Sequence, residues 1–93
     1  MSYEVVVQLE AVLDTQEAFK WYEKKREGLG YVLIEEIEKC YKMLSKHPYH
    51  YSYINKKFQR IKVNRFPYLI IFKIDGNDVI VNSVRHAKRK PKL

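Results

Sequence analysis

Arg60, Arg65 and His86 are the residues of this chain best suited to chemistry. A guanidinium holds phosphate bidentately and stays charged at any working pH, so it can grip a scissile phosphate and stabilise the extra charge of its transition state. A histidine, with an ordinary pKa of about 6.5, gives or takes a proton near neutrality. In RNA cleavage that group removes the 2′-hydroxyl proton or protonates the departing 5′ oxygen. The plainer alternatives are a histidine that ends a strand by bonding a neighbouring carbonyl, and arginines on a solvated strand and turn. Arg60 and Arg65 have opposite pleat parity, so a turn or bulge near Asn64-Arg65-Phe66-Pro67 is needed to bring them to one site.

These groups sit in a strongly basic half. Met1 to Lys46 carries 7 Lys/Arg against 9 Asp/Glu, whereas His47 to Leu93 carries 11 against 2, within a net charge of +7. Such asymmetry points to a nucleic acid, a membrane surface or an acidic protein as partner. Lys56, Lys57, Lys62, Arg85, Lys88, Arg89 and Lys90 are the expected contacts to a nucleic-acid backbone. Tyr49, Tyr51 and Tyr53, with His50 between them, could stack on unpaired bases, or could pack an extended strip against the domain or a partner.

Other chemistries find little footing. His47 and His50 straddle Pro48 with no carboxylate or cysteine beside them, so no metal site is expected. Gly28-Leu29-Gly30 follows a helical pattern rather than a strand, which argues against a phosphate-cradling loop, and no cofactor is expected. Cys40 lies in an apolar helical stripe, as a buried inert thiol does. A single cysteine suits a reducing compartment. Neither a membrane span nor a secretory signal is visible, and a cytoplasmic protein without a membrane partner is the expectation.

The elements that position these residues follow from pattern. Ninety-three residues with 46% hydrophobic content fit one domain, residues 1–93, with a short basic tail at 87–93. Residues 3–9 are β-branched and read as a strand. Asp14 followed by Glu17 resembles a capping box, although the helix could begin near Ala11; Ala18, Trp21, Tyr22 and Lys25 form its stripe to about Glu27. Gly28 and Gly30 reverse the chain into a second helix. Its inner face is Leu33 or Ile34, Ile37, Cys40 or Tyr41, and Leu44, with Glu35, Glu36, Glu38, Lys39 and Lys42 outside, and Pro48 ends it. Residues 49–57 read as a loop. Strands are predicted at 58–64, with Arg60 and Lys62 on one side and Ile61 and Val63 on the other, at 68–74 in the sheet centre, and at 78–85 after a hairpin at Asp75-Gly76-Asn77-Asp78. The order β-α-α-β-β-β gives a two-layer α+β domain, a helical hairpin packed on a four-stranded, mainly antiparallel sheet.

The ordered set of Trp21-Tyr22-Glu23, Gly28-Leu29-Gly30, a second helix ending at Leu44 and Pro48, Arg60, Arg65 to Phe72, and Val84-Arg85-His86-Ala87-Lys88-Arg89-Lys90-Pro91 resembles the RelE/ParE superfamily of toxins from bacterial type II toxin–antitoxin, or plasmid-stabilisation, systems. The resemblance covers nearly the whole chain. It implies a toxin neutralised by a cognate acidic antitoxin whose flexible segment covers the basic surface. RelE-like members are ribosome-dependent endoribonucleases that cut messenger RNA in the A site, and ParE-like members poison DNA gyrase without that catalytic set. The first reading assigns Arg60, Arg65 and His86 as catalytic, with ribosome and messenger RNA as partners. The alternatives are a gyrase inhibitor, or a catalytically inactive antitoxin-binding protein. No glutamate lies between His47 and Arg60, where some nucleases carry their base, and nothing aromatic follows His86.

Overall fold

Val5 and Val7 turn inward while Glu4 and Val6 face solvent, and this short alternating segment opens a computed structural model that describes residues 2–88. The elements are β1 (Glu4–Val7), α1 (Leu9–Lys25), α2 (Leu29–Lys46), a 3₁₀ turn at Pro48–His50, β2 (Gln59–Lys62), β3 (Tyr68–Asp75) and β4 (Asp78–His86). The sheet order is β1-β4-β3-β2, with β1 parallel to β4 and the other two pairings antiparallel. The expected two-layer α+β arrangement is therefore present, with one parallel edge. Among the described residues no helix is long and apolar enough to cross a membrane.

The core forms where α2's stripe meets the sheet. Leu33, Ile37, Cys40 and Leu44 pack with Ile61, Val63, Ile70, Phe72, Val79 and Val81, all buried. From α1 the buried residues are small, Ala11 and Ala18, so that helix lies close to its neighbours. The β3–β4 hairpin turns through Gly76-Asn77 with Asp75 paired to Asp78, as its turn residues predict.

Three expectations need correcting. Helix α1 starts at Leu9, not Asp14: strand β1 runs straight into it, with the Gln8 N–H donating to the Val81 carbonyl at 3.0 Å, and no side chain caps its start. Trp21 is 44% exposed, because the inward stripe is Ala11, Ala18 and Tyr22. Glu36 is buried at 5% although its neighbours Glu35 and Glu38 are exposed. Its carboxylate stands 3.7 Å from both Lys39 and Arg65.

Glu23 explains the hairpin between the helices. One of its oxygens accepts from the Gly30 N–H at 2.8 Å and the other from the Gly28 N–H at 3.2 Å, placing an anion at the positive end of α2. Gly28 needs its left-handed φ of +89°. Gly30 is required for space instead, since a Cβ there would lie 2.7 Å from the Phe19 carbonyl oxygen, a backbone atom.

Two outcomes follow for stability. Gly30→Ala should lose about 1–3 kcal/mol by overpacking the helix contact, outweighing the roughly 1 kcal/mol that alanine gains in a helix, as a urea titration would read. Burial first, and then the neighbouring Cys40 charge, push the Tyr41 phenol up to about 12. The unfolded chain releases that proton first, so Tyr41's contribution is complete below about pH 10 and declines as pH rises toward its folded value. Tyr41→Phe should accordingly lose less stability than wild type between pH 9 and about 11, seen in denaturation midpoints across that range.

Candidate functional site

The site begins with a break in β4. Ile71 pairs with Ser83 but Phe72 pairs with Val81, leaving Asn82 as an extra residue in a bulge. Strand β1 accompanies β4 only as far as Val81, so the rest of β4 on that side has no strand neighbour. Asp14 supplies a partner there. Its Oδ2 accepts from the Val84 N–H at 3.0 Å, a charge-assisted bond between α1 and the free edge of β4. This is where the supposed capping carboxylate goes.

Beside that bond lies a groove of about 560 Å³. One wall is the α1 stripe Glu10, Asp14, Glu17, Trp21 and Lys24, spaced at helical intervals, with Ala18 and Lys20 beside it. The other comes from Leu69 and Ile71 of β3, Arg60 of β2 and Arg85 of β4, and its margins reach Ile54, Tyr68, His86 and Ala87. Acidic groups on the helix thus face arginines on the sheet across an apolar floor. The Lys25 ammonium sits 4.7 Å above the Trp21 ring, which meets Tyr22 edge to face at 4.8 Å. Tyr22 continues the aromatic chain to Phe66 and Tyr68, and Tyr68 to His86 at 5.2 Å.

The three residues singled out for phosphate chemistry occupy three different places. Directly paired residues of a sheet share a face, so the pairs Arg60–Ile71, Lys62–Leu69 and Leu69–Arg85 put Arg60, Lys62 and Arg85 on one face. The pairs Tyr68–His86 and Ile70–Val84 put His86 on the opposite, helix-side face. Arg60 and His86 both reach the groove because it wraps the free edge of β4. Arg65 does not line it. A turn does follow β2, with Arg65 at a φ of +73°, but it aims the guanidinium at Glu36 on α2.

Several other basic groups are engaged in structure. The Lys62 ammonium donates to the Val63 and Phe66 carbonyls, each at 3.1 Å, and so clasps the β2–β3 turn. Arg85 Nε donates to Ser83 Oγ at 3.1 Å, leaving the rest of its exposed guanidinium toward the groove. His86 Nδ1 accepts from the Lys88 N–H at 3.1 Å. Lys56 and Lys57 are exposed in the loop before β2, and Lys88 is exposed after β4. Arg89 and Lys90 lie outside the described residues.

Cys40 is buried, with its thiol 3.8 Å from the Lys62 carbonyl, and desolvation followed by the Glu36 charge pushes its pKa up, as suits an inert thiol. Among the described residues no group of three or more His, Cys, Asp or Glu is placed to hold a metal. The groove residues that sequence reasoning passed over are Glu10, Asp14, Glu17 and Trp21. Their spacing of i, i+4, i+7 and i+11 is a usable signal, masked because Asp14 and Glu17 also fit a helix start and Trp21 also fits a core stripe.

This is the fold and surface of a small basic α+β protein with a recessed groove. The sequence model of the ParE toxin of the type II toxin–antitoxin system parDE matches residues 5–91. The chain belongs to that family: it is a toxin of a ParDE type II toxin–antitoxin system, and its partner is an antitoxin. In fold it is similar to a chromosomal ParDE toxin–antitoxin structure from P. aeruginosa, with a TM-score of 0.83 and 11% identity over 94% of this chain and 98% of that one. No curated protein matches the sequence significantly.

Asp14→Ala should cost about 1–3 kcal/mol, because it leaves the Val84 N–H without its partner, while Asp14→Asn, which keeps an acceptor oxygen, should recover part of the loss. Equilibrium denaturation of the two variants checks the order.

Proposed function

We propose that this toxin acts by binding a protein, that its target is DNA gyrase, and that the antitoxin neutralising it is acidic. The observation that carries this reading is that the groups a nuclease would need together do not share one side of one site: Arg60 and His86 enter the groove from opposite faces of the sheet, and Arg65 lies outside it. Arg60 stands on the open face of the sheet, His86 on the helix side, and Arg65 is held at Glu36. A scissile phosphate would need such groups within hydrogen-bond reach of one site. The groove has a different character, with apolar residues between a helix wall of mixed charge and a sheet wall carrying Arg60 and Arg85, an arrangement complementary to a polypeptide.

Membership of the ParE family supports the same side of the division. Ribosome-dependent cleavage of messenger RNA, which the basic composition and His86 put first, draws less support from this geometry. Net charge of +7 favours rapid association with an acidic antitoxin through electrostatic steering. Trp21, half-exposed at the groove and flanked by Lys25, is the natural anchor for a bound segment.

Expression without antitoxin should induce the SOS response and trap gyrase–DNA complexes while messages stay intact, and His86→Gln should remain toxic. Trp21→Ala should weaken inhibition of purified gyrase by about tenfold or more, the scale of an interface hot spot. A-site cuts in messenger RNA that disappear in His86→Gln would return the toxin to the nuclease class.

A further inference from the structure

A second surface lies beside the groove, on the segment joining α2 to β2. From Lys39 to Ile74 the chain contains no Asp or Glu and nine Lys/Arg. Part of that charge is used internally, by Lys39 and Arg65 at Glu36 and by Lys62 at its turn. Lys46, Lys56 and Lys57 are exposed and make no ion pair with another described residue. Among them Tyr49 and Tyr53 present rings at 61% and 55% exposure, Tyr49 also meeting Tyr3 edge to face at 6.3 Å, while Tyr51 between them turns inward to meet Phe72 edge to face at 6.5 Å. The alternate spacing noted in the sequence is thus divided, with two rings outward and one anchoring.

The segment is built rather than loose. Gln59, 1% exposed, donates from Nε2 to the Pro48 carbonyl at 2.9 Å and the Tyr51 carbonyl at 3.0 Å. The Arg60 N–H donates to the Ser52 carbonyl, and Tyr53 bridges to Gln59, so residues 52–53 run alongside β2. Asn55 Oδ1 accepts from the Lys57 and Phe58 N–H groups, both at 2.8 Å, fixing the turn that carries the two lysines. Outward aromatic rings on a built segment, flanked by exposed lysines of which Lys57 lies 5.7 Å over the Phe58 ring, are what unstacked bases and their phosphates require.

We infer that the segment from Lys46 to Lys57 is a binding surface for single-stranded nucleic acid, with Tyr49 and Tyr53 stacking bases and Lys46, Lys56 and Lys57 neutralising phosphates. A duplex hides its base faces and gains only the charge. An acidic polypeptide also gains the charge but has no base to place on the rings. The surface is separate from the protein-binding wall of α1, and the inference holds whether or not gyrase is the target. It meets the groove at Ile54 and Arg60, so a strand lying on it would approach a protein seated there.

The test is fluorescence anisotropy of the full chain with labelled single-stranded DNA, single-stranded RNA and duplex DNA of one mixed sequence, at several salt concentrations. Single strands should bind more tightly than duplex, with log K falling against log salt at a slope near −2 for three phosphates neutralised. Tyr49→Ser and Tyr53→Ser should each weaken binding at least about fivefold at nearly unchanged slope, whereas the Phe variants should bind as wild type. Lys56→Gln with Lys57→Gln, on the exposed turn where folding is least at risk, should make the slope shallower by about 1.4. The tighter of the DNA and RNA arms identifies the strand bound. Equal binding of duplex and single strands, affinity indifferent to these substitutions, affinity lost only with Arg60→Gln and Arg85→Gln, or displacement by poly-glutamate as effectively as by unlabelled oligonucleotide would overturn the inference.

Discussion

The hydrogen bond from the Val84 N–H to Asp14 joins residues 70 positions apart and fixes the relation of α1 to the sheet. Strand β4 outruns β1 and bulges at Asn82, and an unpaired edge amide there would cost free energy if buried. A carboxylate from the helix satisfies it. Glu23, about two and a half turns further along the same helix, holds the Gly28 and Gly30 amides at the start of α2. Two acidic side chains of α1 therefore bond backbone amides of different elements, each bond to a charged acceptor contributing about 1.5–3 kcal/mol. The groove exists because the helix is held along the edge of β4 and no strand fills that place.

Charge in this protein divides by role. Arg65, Lys39 and Lys62 neutralise a buried carboxylate or bind turn carbonyls, and Glu23 and Asp14 do comparable work on backbone amides. What remains on the surface separates into a groove of mixed charge and an aromatic segment whose lysines make no ion pair among the described residues. A net charge of +7 taken alone suggests one continuous phosphate-binding face. Geometry breaks it into parts with different chemical affinities.

Much of the fold was legible because local chemistry and tertiary structure agree over most of the chain. Pro48 follows α2, Gly28 takes the left-handed φ at the helix junction, Gly76-Asn77 turns the hairpin, and Arg60 and Lys62 alternate against Ile61. The failures occur where a distant group competes for a residue. Asp14 has the chemistry of a helix cap, but Val84 takes its oxygen; Glu36 matches its exposed acidic neighbours, but Arg65 comes to it from a turn nearly thirty residues later. The site was less legible than the fold. A β-bulge at Asn82 leaves no mark in composition, and without it neither the free amide nor the face that Arg85 and His86 each take could be placed.

The central claim, that the groove between α1 and the free edge of β4 is the surface that takes a protein target, is tested most directly by hydroxyl-radical footprinting of the toxin free and bound to gyrase. Trp21 lines the groove, while Tyr31, 67% exposed on α2, does not. Oxidation of Trp21 should fall sharply on binding while that of Tyr31 stays as it was. Unchanged reactivity of Trp21 in a gyrase complex that protects Tyr31 would contradict the account.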